Sequence, residues 1–218
     1  MEELSFTELF PEWVLSWSLS EICKNDPKKF QEFWDLEIVY ETNKPDKPEK
    51  FSKLFPPARG SMLYSEKTFQ KSEANKYGFL KKDDKDEYEK WFWSLRPDFI
   101  IQDENQSLLI LLEAKGGEVP AKTWKHPKEH AYYQFLLKCK WPQKGFYYII
   151  PEKFSEECKN CLTNDKHFEP SNVPTGLIYW EDLLPIIGDE IMKIALKQVL
   201  NEMKGLEKLL NWQKANQP

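Results

Sequence analysis

Two apolar runs stand out from an otherwise mixed pattern, "RPDFII" over 96–101 and "SLLILLEAK" over 107–115, separated by the polar stretch "QDENQ". Short aliphatic runs bounded by turn-forming residues predict two strands joined as an antiparallel hairpin. A turn centred between Asn105 and Gln106 pairs residues whose numbers sum to 211, which sets Asp98 opposite Glu113. Side chains alternate along a strand, so Glu113 and Lys115 share a face and three ionisable groups meet on one patch. The second run is apolar at every position from Leu108 to Leu112, which predicts a central strand covered on both faces and hence a mixed α/β sheet.

Around the hairpin the pattern predicts further elements. "SFTELFPEWVLSWSLSEICKN" opens with the capping-box pair Ser5 and Glu8 and continues with apolar spacings of three and four, which reads as a helix. Asp26 and Pro27 are suited to cap and begin a second one, and "LEIVYET" follows as a strand. The four prolines and the lysines of residues 43–58 predict an exposed connection. A helix is expected from near Ser61 to about Gly78, then a strand in "YGFLKK" or "KWFWSL". After the hairpin, "HPKEHAYYQFLLK" reads as a helix, "GFYYII" and "GLIYW" as strands, and 181 to about 212 as terminal helices. Met192, Leu196, Val199, Met203, Leu206 and Leu210 form a heptad-like seam on the last of these, suited to packing on the parent domain or to a homodimer contact, with Gly205 opposing a long free coil.

A chain of 218 residues with 40% hydrophobic and 31% charged residues fits one globular domain, divided as a 1–55 N-terminal extension, a 60–182 core and 183–218 C-terminal helices. The acidic N-terminus and the lack of an apolar run near the roughly 20 residues of a membrane span predict neither secretion signal nor anchor, and a cytoplasmic location. Cys23, Cys139, Cys158 and Cys161 are irregularly spaced and read as free thiols. The competing reading puts a zinc half-site at Cys158, Cys161 and His167.

A net charge of -5 argues against a protein that coats nucleic acid over its whole surface, but leaves room for a local basic track. Between Lys115 and Lys144 seven lysines face two acids and alternate with Trp124, Tyr132, Tyr133, Phe135 and Trp141. Lys122, Lys125 and Lys128 with Trp124 are the candidates for phosphate contact and base stacking; a solvated helix with a buried aromatic side is the alternative. His126 and His130 flank this track and read by default as solvated histidines, with a role at the substrate as the alternative. Arg59 and Arg96 are the only arginines, which disfavours demanding guanine readout, and Arg96 is placed to meet a phosphate or to pair with the acidic segment before it.

Why should an aliphatic strand run into two adjacent charges? Carboxylates at Asp98 and Glu113 would ligate a hard divalent cation such as magnesium through oxygen, and Lys115 would orient water or neutralise an attacked phosphate. A structural ion pair at a strand end is the plainer alternative.

Pro97-Asp98, an apolar hairpin and Glu113-Ala114-Lys115 together resemble the PD-(D/E)XK nuclease superfamily, the restriction-endonuclease-like fold. The resemblance implies metal ligation by Asp98, Glu113 and the Ala114 carbonyl, assistance to the nucleophile from Lys115, and a supporting role for Gln134 on the following helix. It also implies an upstream acid, assigned to Glu66 with Glu41 and Glu73 as rivals. The expected protein is a Mg2+- or Mn2+-dependent endonuclease acting on DNA in restriction, phage defence or repair, leaving a 5'-phosphate. The rival class is a catalytically inactive module of the same fold that binds nucleic acid or a protein partner. Some superfamily members hold an iron-sulfur cluster with one cysteine before the core and three after it, an order this chain shares without their tight terminal spacing.

Overall fold

The computed structural model describes residues 12–43, 49–56, 61–65, 97–115, 127–164, 173–183 and 185–187. Helix α1 spans Glu12–Asn25 and α2 Pro27–Trp34. Asp26 breaks the chain between them with an extended backbone, and its Oδ1 accepts the Lys28 N–H at 2.9 Å and the Lys29 N–H at 3.4 Å, while Pro27 occupies the first turn, where no intrahelical donor is needed. The capping pair Ser5 and Glu8 lies outside the described residues.

"LEIVYET" forms two short strands rather than one, β1 (Glu37–Ile38) and β2 (Tyr40–Glu41), which join different sheets. Residues 43–58 are not merely an exposed connection. Strand β3 (Glu49–Lys50) pairs with β1, the four-residue helix α3 (Phe51–Leu54) follows, and Phe51 and Phe55 are buried. The stretch after Ser61 is also corrected: β4 (Met62–Ser65) pairs antiparallel with the hairpin and buries Leu63, so edge pairing overrides the predicted helical start there. The alternative strands in "YGFLKK" and "KWFWSL" and the terminal seam from Met192 onward fall outside the described residues.

The hairpin strands are β5 (Phe99–Gln102) and β6 (Leu108–Ala114), paired as Phe99 with Leu112 through Gln102 with Leu109, the register that sums to 211. Asp103 closes the turn. Its Oδ1 accepts the N–H groups of Ser107 and Leu108, each at 2.8 Å, and its Oδ2 accepts the Ser107 hydroxyl at 2.6 Å and the Asn105 N–H at 3.2 Å. Gln106 takes the left-handed backbone with φ of 58°. Helix α4 (Pro127–Lys138) carries the chain back to β7 (Gln143–Ile150), parallel to β6. A 3-10 turn (Glu152–Phe154) and α5 (Ser155–Asn164), an element the sequence pattern had not announced, lead to β8 (Thr175–Tyr179), parallel to β7. Short helical segments cover 180–183 and 185–187.

The fold is therefore mixed α/β. A six-stranded sheet ordered β2-β8-β7-β6-β5-β4 is mixed in direction and flanked by helices, beside the two-stranded β1-β3 sheet. Leu109, Leu111, Ile100, Phe146 and Tyr148 pack on one face with Ala131, Tyr132, Phe135 and Leu136 of α4 and Cys158 and Leu162 of α5. Leu108, Ile110, Leu112, Tyr147 and Ile149 pack on the other with Leu19, Phe33, Trp34 and Phe51. All seven residues of β6 are buried, as a strand covered on both sides requires. Among the described residues no helix is long and apolar enough to cross a membrane.

Candidate metal centre at the end of β6

The β5-β6 ladder ends at Phe99 and Leu112, and it ends for a chemical reason. One step further Asp98 stands opposite Glu113, and two steps further Pro97, which has no N–H, stands opposite Ala114. Pro97 cannot donate to the Ala114 carbonyl, and the Ala114 N–H turns to the Asp98 carboxylate, donating to Oδ2 at 2.7 Å. Within a strand the N–H and C=O of one residue point towards the same neighbour. The Ala114 carbonyl is thus directed to the Asp98 side, where the register opposes it to a proline. Lys115 points the other way, its N–H donating to the Ile149 carbonyl at 2.9 Å.

Alternation places Asp98 on the face of Ile100, and Glu113 on the face of Leu109 and Leu111, the α4 and α5 side of the sheet. Glu113 is only 7% exposed, whereas Asp98 and Lys115 are half-buried. The Lys115 ammonium lies 3.1 Å from Glu113 Oε1. The second oxygen, Glu113 Oε2, is buried and has no hydrogen-bond partner among the described residues. A buried polar atom left in this way costs roughly 1–3 kcal/mol, more for a charged group, unless something outside the protein's own donors meets it. Each of the five aliphatic residues Leu108–Leu112 contributes roughly 1.5–3 kcal/mol by burial, so the strand tolerates a charged end that would be unfavourable alone.

Two carboxylates and a strand-end carbonyl form a hard oxygen donor set that fits magnesium or manganese, which usually take one or two protein carboxylates and complete their shells with water and phosphate. Among the described residues no group of three His, Cys, Asp or Glu side chains comes together as a metal cage. The expected third acid, Glu66, lies outside the described residues, as does Glu73; Ser65, the residue before Glu66, pairs with Phe99. Glu41 is described and does not join the site. It is buried on β2, three strands and about 14 Å across the sheet from β6. It acts instead on the opposite face, where burial, and secondarily the Glu41 charge, push the Tyr147 phenol well above its ordinary pKa.

Gln134 sits half-buried in the middle of α4, the helix that covers the face carrying Asp98 and Glu113. His130 on the same helix is buried at 7% exposure, which corrects its reading as a solvated histidine. Of the two readings of the track's aromatic residues, the buried aromatic side is the one seen for those that are described. Tyr132, Tyr133, Phe135 and Trp141 are buried in the core and offer no face to a base. Lys144 belongs to a helix end: its ammonium donates to the carbonyls of Cys139 at 2.7 Å and Leu137 at 3.5 Å, and burial lowers its pKa. Arg96, Lys122, Trp124, Lys125 and His126 lie outside the described residues, and Lys128 is described only in its backbone, as part of α4.

The four cysteines are free thiols; Cys139 and Cys158 lie buried in the same apolar layer, and His167 lies outside the described residues. One contact had no forerunner in the sequence pattern. The Trp180 indole N–H donates to the Lys115 carbonyl at 3.2 Å. The only hint is an aromatic residue with a polar edge directly after a strand-like run. A scan against family models and searches of curated proteins and solved structures give no match.

Proposed function

We propose that the chain is a divalent-metal-dependent nuclease with a restriction-endonuclease-like core that hydrolyses phosphodiester bonds of DNA. The observation that carries this reading is the end of β6. There Asp98 accepts the Ala114 N–H, Lys115 pairs with Glu113 Oε1, and the buried Glu113 Oε2 has no hydrogen-bond partner among the described residues. Asp98, Glu113 and the Ala114 carbonyl would hold magnesium or manganese, with Glu66 as the further acid. Held there, such an ion would supply Lewis-acid activation of water and offset charge on the phosphodiester. Asp98 also fixes the strand end by accepting the Ala114 N–H, which keeps that main chain from closing onto the ladder. Lys115 presents a compact positive charge beside Glu113, suited to orient water or to meet the phosphate. Lys122, Trp124, Lys125, Lys128 and Arg96 are the residues proposed to meet the nucleic-acid backbone, and Gln134 to support the site from α4.

The rival reading is an inactive module in which Glu113 and Lys115 form a structural ion pair, and their 3.1 Å contact favours it. The orphaned Oε2 favours the metal site instead, because a purely structural pair gains nothing from leaving it unmet. Incubation of plasmid, linear and single-stranded DNA with and without Mg2+ or Mn2+ decides between them. Metal-dependent cleavage by the wild type, lost in both Asp98→Asn and Glu113→Gln along with Mn2+ affinity, supports the nuclease. Wild-type cleavage and affinity in both variants would falsify it.

A further inference from the structure

We infer that Trp180 is a positioning residue for Lys115, an inference that rests on the nuclease reading of the β6 end. The β6-β7 ladder stops where Ala114 meets Ile149, yet the main chain of Lys115 is held at both of its polar groups. Its N–H donates to the Ile149 carbonyl at 2.9 Å, and its carbonyl accepts the Trp180 indole N–H at 3.2 Å. The indole itself has little freedom to move. Trp180 is 1% exposed and belongs to the same buried apolar cluster as Leu112, Ala114, Ile149 and Ile178. An indole nitrogen is a donor only, so this edge has one use at the site, which is to hold a carbonyl.

The purpose of such a hold follows from the lysine stem. Four rotatable bonds separate the Lys115 ammonium from its backbone, and an ammonium on a loose peptide samples many positions. Fixing the backbone at both ends and pairing the ammonium with Glu113 Oε1 narrows that spread. Trp180 therefore acts on the reaction through Lys115, from the face of the sheet opposite the one that carries Asp98 and Glu113.

Trp180→Phe keeps most of the ring and removes the donor. The expected result is an unchanged Mn2+ affinity by calorimetry, because the carboxylates are untouched, with kcat about 10- to 100-fold lower and KM little altered. The decisive comparison is a double-variant cycle. If Trp180 works through Lys115, Trp180→Phe combined with Lys115→Ala cleaves no more slowly than Lys115→Ala alone. If the Phe variant does not fold, benzothienylalanine placed at position 180 keeps the bicyclic shape without the N–H and takes its place in the cycle. Effects that multiply in the double variant, or a wild-type kcat without the N–H, overturn the inference while leaving the metal site standing. Wild-type cleavage by Glu113→Gln overturns the nuclease reading itself, and the inference with it.

Discussion

Lys115 places its ammonium 3.1 Å from Glu113 Oε1, so the most buried carboxylate of the β6 end has one of its two oxygens neutralised from within its own strand. Removing one partner of such a pair leaves an uncompensated buried charge. Lys115→Ala should lower the stability of the metal-free protein by about 2 kcal/mol in urea denaturation, less than for a fully enclosed pair because water reaches the lysine. Adding Glu113→Gln should restore much of the loss. A double variant as unstable as the single one would show that packing of the lysine stem, not charge, supports the strand end.

Asp98 carries a separable structural task. Asp98→Ala leaves the Ala114 N–H without its acceptor and should cost roughly 1–3 kcal/mol. Asp98→Asn, which keeps a side-chain carbonyl, should cost less than half as much while still abolishing metal binding. Equal thermal midpoints for the two variants would mean that the 2.7 Å contact contributes nothing to the fold.

Asp103 supplies a pH signature. Burial by itself would raise its pKa, but the Ser107 hydroxyl and the N–H groups of Leu108, Ser107 and Asn105 hold it below the ordinary value. A folded-state pKa below the unfolded one adds stability above the unfolded pKa, and that stability is lost as pH falls through the folded value. Asp103→Ala should therefore cost roughly 1–3 kcal/mol at pH 7, and the gap to the wild type should narrow below about pH 4. A gap independent of pH would assign the effect to turn shape alone.

How much of this could be read before the fold was known follows from where the information lies. The hairpin register was legible because a polar turn between two aliphatic runs has a centre, and the centre alone determines that Asp98 meets Glu113. The α2 start was legible because Asp26 and Pro27 act locally. Burial of Phe51 and Phe55 was not, since prolines on either side mask a short helix that packs only through tertiary contacts. Helix α5 was missed because its buried positions, Ser155, Cys158 and Leu162, include only one strongly apolar side chain. The Trp180 contact joins residues 65 positions apart, a relationship no local pattern encodes.

Thiol chemistry offers an independent check on the core. Burial, with added repulsion from Asp26 and Glu32, pushes the Cys23 thiol up to about 12, and burial with Cys161 and Glu157 pushes Cys158 up to about 12. Burial also raises Cys139. Iodoacetamide at pH 8 should label half-buried Cys161 first and the other three only after denaturation, as peptide mass mapping would record. Labelling of Cys158 in the native protein at the rate of Cys161 would contradict this packing.

The aliphatic run of β6 has an ambiguity of its own. Leu108–Leu112 presents similar residues to both faces, so a hairpin slipped by one place would bury nearly the same hydrocarbon and greasiness alone cannot choose between the two alignments. The choice falls to the ends. At one end Asp103 admits a single turn; at the other, a slip would carry the Glu113 carboxylate into the layer of Phe33, Trp34 and Phe51, at a cost of several kcal/mol. The same acid proposed to hold the metal therefore also proofreads the folding of the strand that carries it.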